Sequence, residues 1–263
     1  MTNDNNNKRG DVATLSVALQ FAGNRLLASL KPVDRAILEP SMSIVLLSRG
    51  DVLFEPGEDV TQTYFPGPGV VVSLVVTMAD GRAVESATIG REGAVGGIVS
   101  AGHKPAFSRA AVQIGGTALR IDTIALESAK ERSGVIRDLF NRYADTLIAQ
   151  TLQSVACNAL HSLDARLCRW LLTTHDRVDS DEIALTQEYL AEMLGVQRTT
   201  VSGVARVLQE RGLISYSRGR MVILDRAGLE KSACECYGSV QDHFRAVLPE
   251  TRPQNVLEVK TAS

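Results

Sequence analysis

The stretch Leu185-Thr-Gln-Glu-Tyr-Leu-Ala-Glu-Met-Leu-Gly-Val-Gln-Arg-Thr-Thr-Val-Ser-Gly-Val-Ala-Arg-Val-Leu208 decides how this chain is read. Thr186 is placed to cap a first helix by accepting a backbone N–H, and Leu190, Met193 and Leu194 give that helix an inward face. Ala191 is small enough for a second helix to approach closely. Gly195 supplies the positive φ that ends the first helix, and Val196 plugs the space between the two. Val201, Val204 and Leu208 then form the buried stripe of the second helix. Arg198, Thr199, Ser202, Gly203 and Arg206 are left on its other side. Small, turn and apolar positions are constrained together here, and the arrangement that satisfies them is a helix-turn-helix.

In that motif the second helix enters the major groove of DNA with its N-terminal residues against base edges. The run that follows, Leu213-Ile-Ser-Tyr-Ser-Arg-Gly-Arg-Met-Val-Ile-Leu224, is two β-prone segments joined at Arg218-Gly219-Arg220. It reads as a wing whose tip carries two guanidiniums suited to a phosphate. The expected DNA contacts are therefore Arg198, Thr199, Thr200, Ser202, Gly203 and Arg206 from the second helix, Thr186 and Gln187 from the start of the first, and Arg218 and Arg220 from the wing. Arg198 can bond O6 and N7 of a guanine, Thr199 offers methyl or hydroxyl contacts, and Arg206 lies further on, where a phosphate is the nearer partner. The alternative is a helical pair and a hairpin used only for packing. Charge argues against it: the whole chain carries −2, yet from Gln197 to Lys231 Arg198, Arg206, Arg211, Arg218, Arg220, Arg226 and Lys231 face only Glu210, Asp225 and Glu230.

Upstream, Leu163 to Thr174 reads as an amphipathic helix containing Trp170. Asp176–Glu182 reads as a charged loop, with a second compact unit beginning near Ala184. From Gly134 to Leu160 apolar side chains recur three or four apart, at Ile136, Leu139, Phe140, Tyr143, Leu147, Leu152, Val155 and Ala159. A helix this long has more apolar surface than a small β domain covers, so a second copy of the chain is the expected cover, along Ile136, Phe140, Tyr143, Leu147 and Leu152. Packing against its own β domain is the alternative.

Before that helix the pattern is β-rich. The runs are Ile44–Leu47, Val52–Glu55, Gln62–Phe65, Val70–Met78, Ala83–Thr88, Ala110–Ile114 and Thr117–Ile121, separated by turn residues such as Asp80-Gly81. Strands at this spacing predict a β-sandwich or jelly roll. Asn24 to Leu38 reads as two short helices broken at Lys31-Pro32. The fold class is thus α+β, divided as a disordered tail over 1–20, a jelly-roll domain over 21–133, a dimerisation helix over 134–162, a winged helix-turn-helix over 163–240 and a C-terminal tail over 241–263.

The chain of 263 residues is 44% hydrophobic and 22% charged, enough for two domains with their own cores. Its Asn-rich start has no apolar stretch of the kind a secretory signal needs, and no apolar run is long enough to span a bilayer. A cytoplasmic protein with no membrane partner is expected. The four cysteines, Cys157, Cys168, Cys234 and Cys236, lack the close pairs of a zinc or iron–sulfur framework, so reduced thiols and no metal are expected. Cys234-Glu-Cys236, without further ligands nearby in sequence, reads as structural or inert. The four histidines are scattered, with only His103 in the roll, which argues against a metalloenzyme on a cupin-like roll.

The order of these parts resembles the Crp/Fnr family of bacterial regulators, a likeness carried by Gly50-Asp-Val-Leu-Phe-Glu-Pro-Gly-Glu58 and by Leu185 to Ile214. The resemblance implies that residues 21–133 are a cyclic-nucleotide-binding-like β-roll sensor domain, and it implies a homodimer on a pseudo-palindromic operator and effector control of the two recognition helices, with double-stranded DNA and RNA polymerase as partners. Departures are informative. The best-known members open the recognition helix with Ser-Arg-Glu-Thr and carry a further Arg one turn on, where this chain has Gln197, Arg198, Thr199, Thr200 and Gly203, so a different operator is expected. In Ile89-Gly-Arg-Glu-Gly-Ala-Val-Gly-Gly-Ile98, Gly97 stands where the family's nucleotide binders place a ribose-holding Glu. Gly96, Gly97, Arg109 and Ala110 are the candidate effector pocket, with Arg109 standing in for the phosphate-binding Arg. Without the Glu, cyclic AMP is disfavoured, no cofactor is expected, and the identity of a small-molecule effector is left open.

Overall fold

The computed structural model describes residues 17–100 and 102–249. The expected N-terminal tail lies outside the described residues up to position 16, and the chain enters as helix α1 (Val17–Gly23). Helices α2 (Arg25–Ala28) and α3 (Pro32–Leu38) follow, broken where Lys31-Pro32 predicts. Asn24 caps α2 by accepting from Leu27 N at 3.2 Å, and Pro32 opens α3, where its missing N–H costs no helical bond.

Seven strands come next: β1 (Met42–Leu47), β2 (Val52–Phe54), β3 (Gln62–Pro66), β4 (Val71–Thr77), β5 (Ala83–Ile89), β6 (Arg109–Ile114) and β7 (Gly116–Asp122). They form two antiparallel sheets, ordered β1-β7-β3 and β2-β6-β4-β5, with Val70, Val72, Val95, Ala110, Val112 and Ala118 buried between them. Every strand overlaps a run read from the sequence. The β4–β5 hairpin turns at Gly81, whose φ of +85° is the conformation its lack of a Cβ makes cheap.

Helix α4 (Thr123–Arg132) leads to the long helix α5 (Gly134–Leu160), started by Ser133, which accepts from Ile136 N at 3.2 Å. The first half of α5 corrects the dimer expectation. Ile136, Phe140 and Tyr143 are buried in their own protomer, in a core shared with Phe21, Leu27, Leu119 and Leu126. Leu147 packs on the roll. Glycines in the Gly90–Gly97 segment make room for this: a Cβ on Gly93 would lie 2.6 Å from the Tyr143 hydroxyl, and one on Gly97 2.7 Å from the Phe140 ring. Of the expected dimer residues only Leu152 projects outward, at 66% exposure, in line with Ile148 and Val155. Those three lie four and three positions apart, on one helical face.

The C-terminal unit comprises α6 (Leu163–His175), β8 (Glu182–Ala184), α7 (Gln187–Leu194), α8 (Arg198–Glu210), β9 (Ile214–Ser217), β10 (Arg220–Ile223), α9 (Arg226–Ser232) and α10 (Cys236–Val247). Strand β8, read as loop, is recruited to the wing sheet by pairing Ile183 with Met221, giving the order β8-β10-β9. Helix α10 runs through Val247, past the boundary expected at 240, because it lies against α5.

This unit is seated on the roll. The Glu85 carboxylate accepts from Trp170 Nε1 at 3.1 Å, Thr88 Oγ1 at 2.7 Å, Gln113 Nε2 at 2.7 Å and from Ser73 Oγ. Beside it Arg177 reaches from the end of α6 to Glu92 at 2.7 Å and donates to Thr88 O at 3.1 Å. Among the described residues no helix is long and apolar enough to cross a membrane.

Candidate nucleic-acid interface

The helix-turn-helix is assembled as its residues dictate. Thr186 Oγ1 accepts from Tyr189 N at 3.2 Å and so caps α7, and Gly195 ends α7 in the left-handed region at φ +67°. Leu190, Ala191, Met193 and Leu194 of α7 are buried against Val201, Ala205 and Leu208 of α8, with Val196 packed at the edge of the same core. Arg166 of α6, itself buried, donates to Leu194 O at 2.6 Å and satisfies a carbonyl at the end of α7. Its role has no short-range sequence signal, because an arginine on an amphipathic helix is ordinarily exposed.

With that face fixed, the opposite face of α8 is directed outward. Arg198, Thr199, Thr200, Gly203 and Arg206 are exposed. Ser202 is half-buried, its hydroxyl 2.6 Å from Gln187 Oε1 and 3.0 Å from Arg198 O, and the contact with Gln187 ties the two helices together. A Cβ on Gly203 would meet nothing within 4 Å, so this glycine leaves a bare patch of backbone one turn into the helix. Arg198 Nη1 lies 2.9 Å from Glu188 Oε1, with both side chains more than 60% exposed. Glu188 is not among the residues the sequence singles out, since an acid on an exposed helical face carries no pattern.

The wing turns at Arg218 and Gly219, both at positive φ (48° and 76°), as a two-residue hairpin turn requires. Arg218 is exposed at the tip. Arg220 is exposed too, but its Nη1 is held by Glu182 Oε1 at 3.0 Å, so the two guanidiniums do not form one fork. Tyr216 anchors the wing: its N–H donates to Gln209 Oε1 at 2.7 Å and its hydroxyl to Leu185 O at 3.2 Å. Burial first, then the Glu188 carboxylate, raise the Tyr216 phenol above its ordinary value, and Arg198 opposes them. The phenol therefore stays neutral and able to donate.

The expected effector residues are not gathered in the same way. Arg109 Nε pairs with Glu55 Oε2 at 2.8 Å, and Ala110 is fully buried in β6. Gly96, at φ +78°, packs on β3, where a Cβ would lie 2.7 Å from Gln62 O. A cleft of about 340 Å³ beside Gly97 is lined by Lys130, Glu131, Arg137, Phe140 and Asn141 among others, and Arg109 is not part of it. His103 sits 3.1 Å from Asp59 with both side chains exposed. Cys234 and Cys236, which lack further ligands nearby in sequence, do have ligand-type neighbours in space, Cys157 and His161, brought in by the foot of α5.

Residues 165–232 match the family described as the Crp-like helix-turn-helix domain. No curated protein matches the chain in sequence. Among solved structures, FixK2 from Bradyrhizobium japonicum superposes with a TM-score of 0.62 at 17% identity, covering 73% of this chain and 98% of its own. CLP from Xanthomonas campestris, described as a c-di-GMP responsive global regulator, gives 0.61 at 15%, covering 74% and 100%. A CRP-family transcriptional regulator from Thermus thermophilus gives 0.58 at 22%, covering 72% and 96%. The chain thus has the fold of the Crp/Fnr regulators and carries a Crp-like helix-turn-helix domain.

Proposed function

We propose that this protein is a sequence-specific, DNA-binding transcription regulator that acts as a homodimer on a pseudo-palindromic operator. One observation carries the reading. The N-terminal turn of α8 stands clear of the fold with Arg198, Thr199 and Thr200 exposed, while Val201, Ala205 and Leu208 of the same helix are locked in the core. A rigid helix presenting a guanidinium and two hydroxyls is suited to the floor of a major groove, and the exposed Arg218 of the wing to the flanking phosphate. The outward stripe of Ile148, Leu152 and Val155 on α5 supplies the face for a second copy.

On DNA, Arg198 exchanges Glu188 for the O6 and N7 of a guanine. Little is lost in the exchange, because an exposed ion pair contributes about 0–1 kcal/mol. The test compares two variants on operator and non-operator duplexes by fluorescence anisotropy across a salt series. Arg198→Ala should weaken operator binding by about 1–3 kcal/mol and relax preference at one base pair per half-site. Arg218→Ala should weaken all duplexes alike and flatten the salt dependence. Operator binding unchanged in both variants would refute the assignment.

A further inference from the structure

Four ligand-type side chains meet at the foot of α5, and the DNA interface uses none of them. Cys157 and His161 lie four positions apart at the end of that helix, so they share a face. Cys234 and Cys236 flank Glu235 where α10 begins. One donor atom from each of the four lies within 4.8 Å of the others. The three thiols are buried and the imidazole is partly so. We propose that Cys157, His161, Cys234 and Cys236 form a binding site for a tetrahedral, thiolate-preferring divalent ion of the zinc class, which clamps the long helix to the end of the DNA-binding unit.

The distances fit such an ion. Zinc–sulfur bonds of about 2.3 Å and zinc–nitrogen bonds of about 2.0–2.1 Å place the corners of a tetrahedron roughly 3.5–3.8 Å apart. Cys157 Sγ lies 3.5 Å from Cys234 Sγ, and Cys236 Sγ lies 3.4 Å from His161 Nδ1. A polynuclear iron–sulfur cluster spreads its ligands around a larger cage than this group encloses. Three thiolates also select against magnesium and calcium, which take oxygen ligands.

The surroundings fit as well. His161 turns Nδ1 toward the thiols while Nε2 lies 3.2 Å from Glu235 Oε1, the carboxylate–histidine arrangement that orients a metal-bound imidazole. Gln153 Nε2 donates to Cys236 Sγ at 3.0 Å, as an amide does to a metal thiolate. Three thiolates and a neutral imidazole around a dication leave a single negative charge. Arg169 acts electrostatically on Cys157, and Arg166 is in reach of both Cys157 and Cys234, so that charge is compensated. Apolar packing explains buried thiols. It does not explain an imidazole nitrogen aimed at them with its other nitrogen on a carboxylate.

Placement gives the ion its consequence. Everything between His161 and Cys234, which includes the whole helix-turn-helix and wing, becomes a loop closed by the metal. The pose of α8 relative to α5 is then fixed at both ends of the DNA-binding unit. The inference does not rest on the DNA reading, and its test uses no DNA.

The full-length protein, purified without chelator, is assayed for bound metal, stripped, and titrated anaerobically with Co²⁺. The wild type should carry one zinc per chain and yield a cobalt form with intense visible bands of tetrahedral geometry and a sulfur-to-cobalt charge-transfer band. Cys234→Ser and His161→Gln should lower affinity at least tenfold in chelator competition, and Glu235→Gln about tenfold. Cys168→Ser, a buried thiol in a different core, should leave binding unchanged. If Cys234→Ser fails to fold, the wild-type cobalt spectrum decides alone. A wild type that neither contains zinc nor gives the tetrahedral spectrum would overturn the site. So would iron with acid-labile sulfide, or binding that survives Cys234→Ser and His161→Gln.

Discussion

In the proposed complex Arg198 meets DNA only after leaving Glu188, which would make Glu188 a brake on binding. Its carboxylate stands 2.9 Å from Arg198 Nη1, beside the guanidinium proposed to read a base. Glu188→Gln is expected to raise affinity for operator and non-operator duplexes alike, by up to about 1 kcal/mol, the range of an exposed pair. Unchanged or weaker binding in low-salt titrations would show that Glu188 orients Arg198 instead. Gly203 offers a second residue-scale prediction. It sits in open space on a helix interior, so Gly203→Ala should stabilise the protein by about 0.4–1 kcal/mol in urea unfolding. A destabilised variant would mean that the backbone there departs from an ordinary helix.

The long helix α5 divides its labour along its length. Its first half is part of the protomer's own core, where Tyr143 is 1% exposed and donates to Ala94 O at 3.2 Å. Its second half leaves Ile148, Leu152 and Val155 uncovered. Leu152→Asp should therefore convert the proposed dimer to monomer in sedimentation velocity without unfolding the chain, whereas Tyr143→Ala should cost about 3–5 kcal/mol of folding stability. A Leu152→Asp protein that sediments as a dimer would place the interface elsewhere. Sequence periodicity revealed the helix but not which apolar residues face which partner, because both faces carry apolar side chains at helical spacing. Turn residues and β-branched runs located all seven roll strands, and capping, glycine and stripe positions located the helix-turn-helix. Strand β8 escaped because three residues are too few to show alternation, and it exists only through its pairing with β10. The metal-type cluster escaped because Cys157 and Cys234 are 77 positions apart, and only the packing of α10 on α5 unites them.

At the scale of the molecule, Glu85 joins the two units. Burial, the largest influence, raises its carboxyl above the ordinary 4.5 despite the Ser73 and Thr88 hydroxyls and the charges of Arg169 and Arg177. A carboxyl raised in the folded state adds stability that is fully present below the ordinary carboxylate range and is lost as pH rises through the raised value. Unfolding free energy should accordingly decline over that window as pH increases. Glu85→Gln, which mimics the protonated acid, should flatten the decline. Glu85→Ala should cost about 2–4 kcal/mol, because the Trp170, Thr88, Ser73 and Gln113 donors lose their acceptor. Denaturant titrations of the three proteins across pH distinguish these outcomes; a pH profile identical in wild type and Glu85→Gln would remove Glu85 from the linkage.

The central claim, that two copies of α8 read DNA through Arg198, is tested most directly by selecting duplexes from a random pool with the wild type and with Arg198→Ala. The account predicts that the wild type enriches an inverted repeat with half-site centres about one helical turn, roughly 10 base pairs, apart or a multiple of it. The variant should lose preference at a single guanine–cytosine position in each half. No enrichment by the wild type, or the same enriched sequence from both proteins, would contradict it.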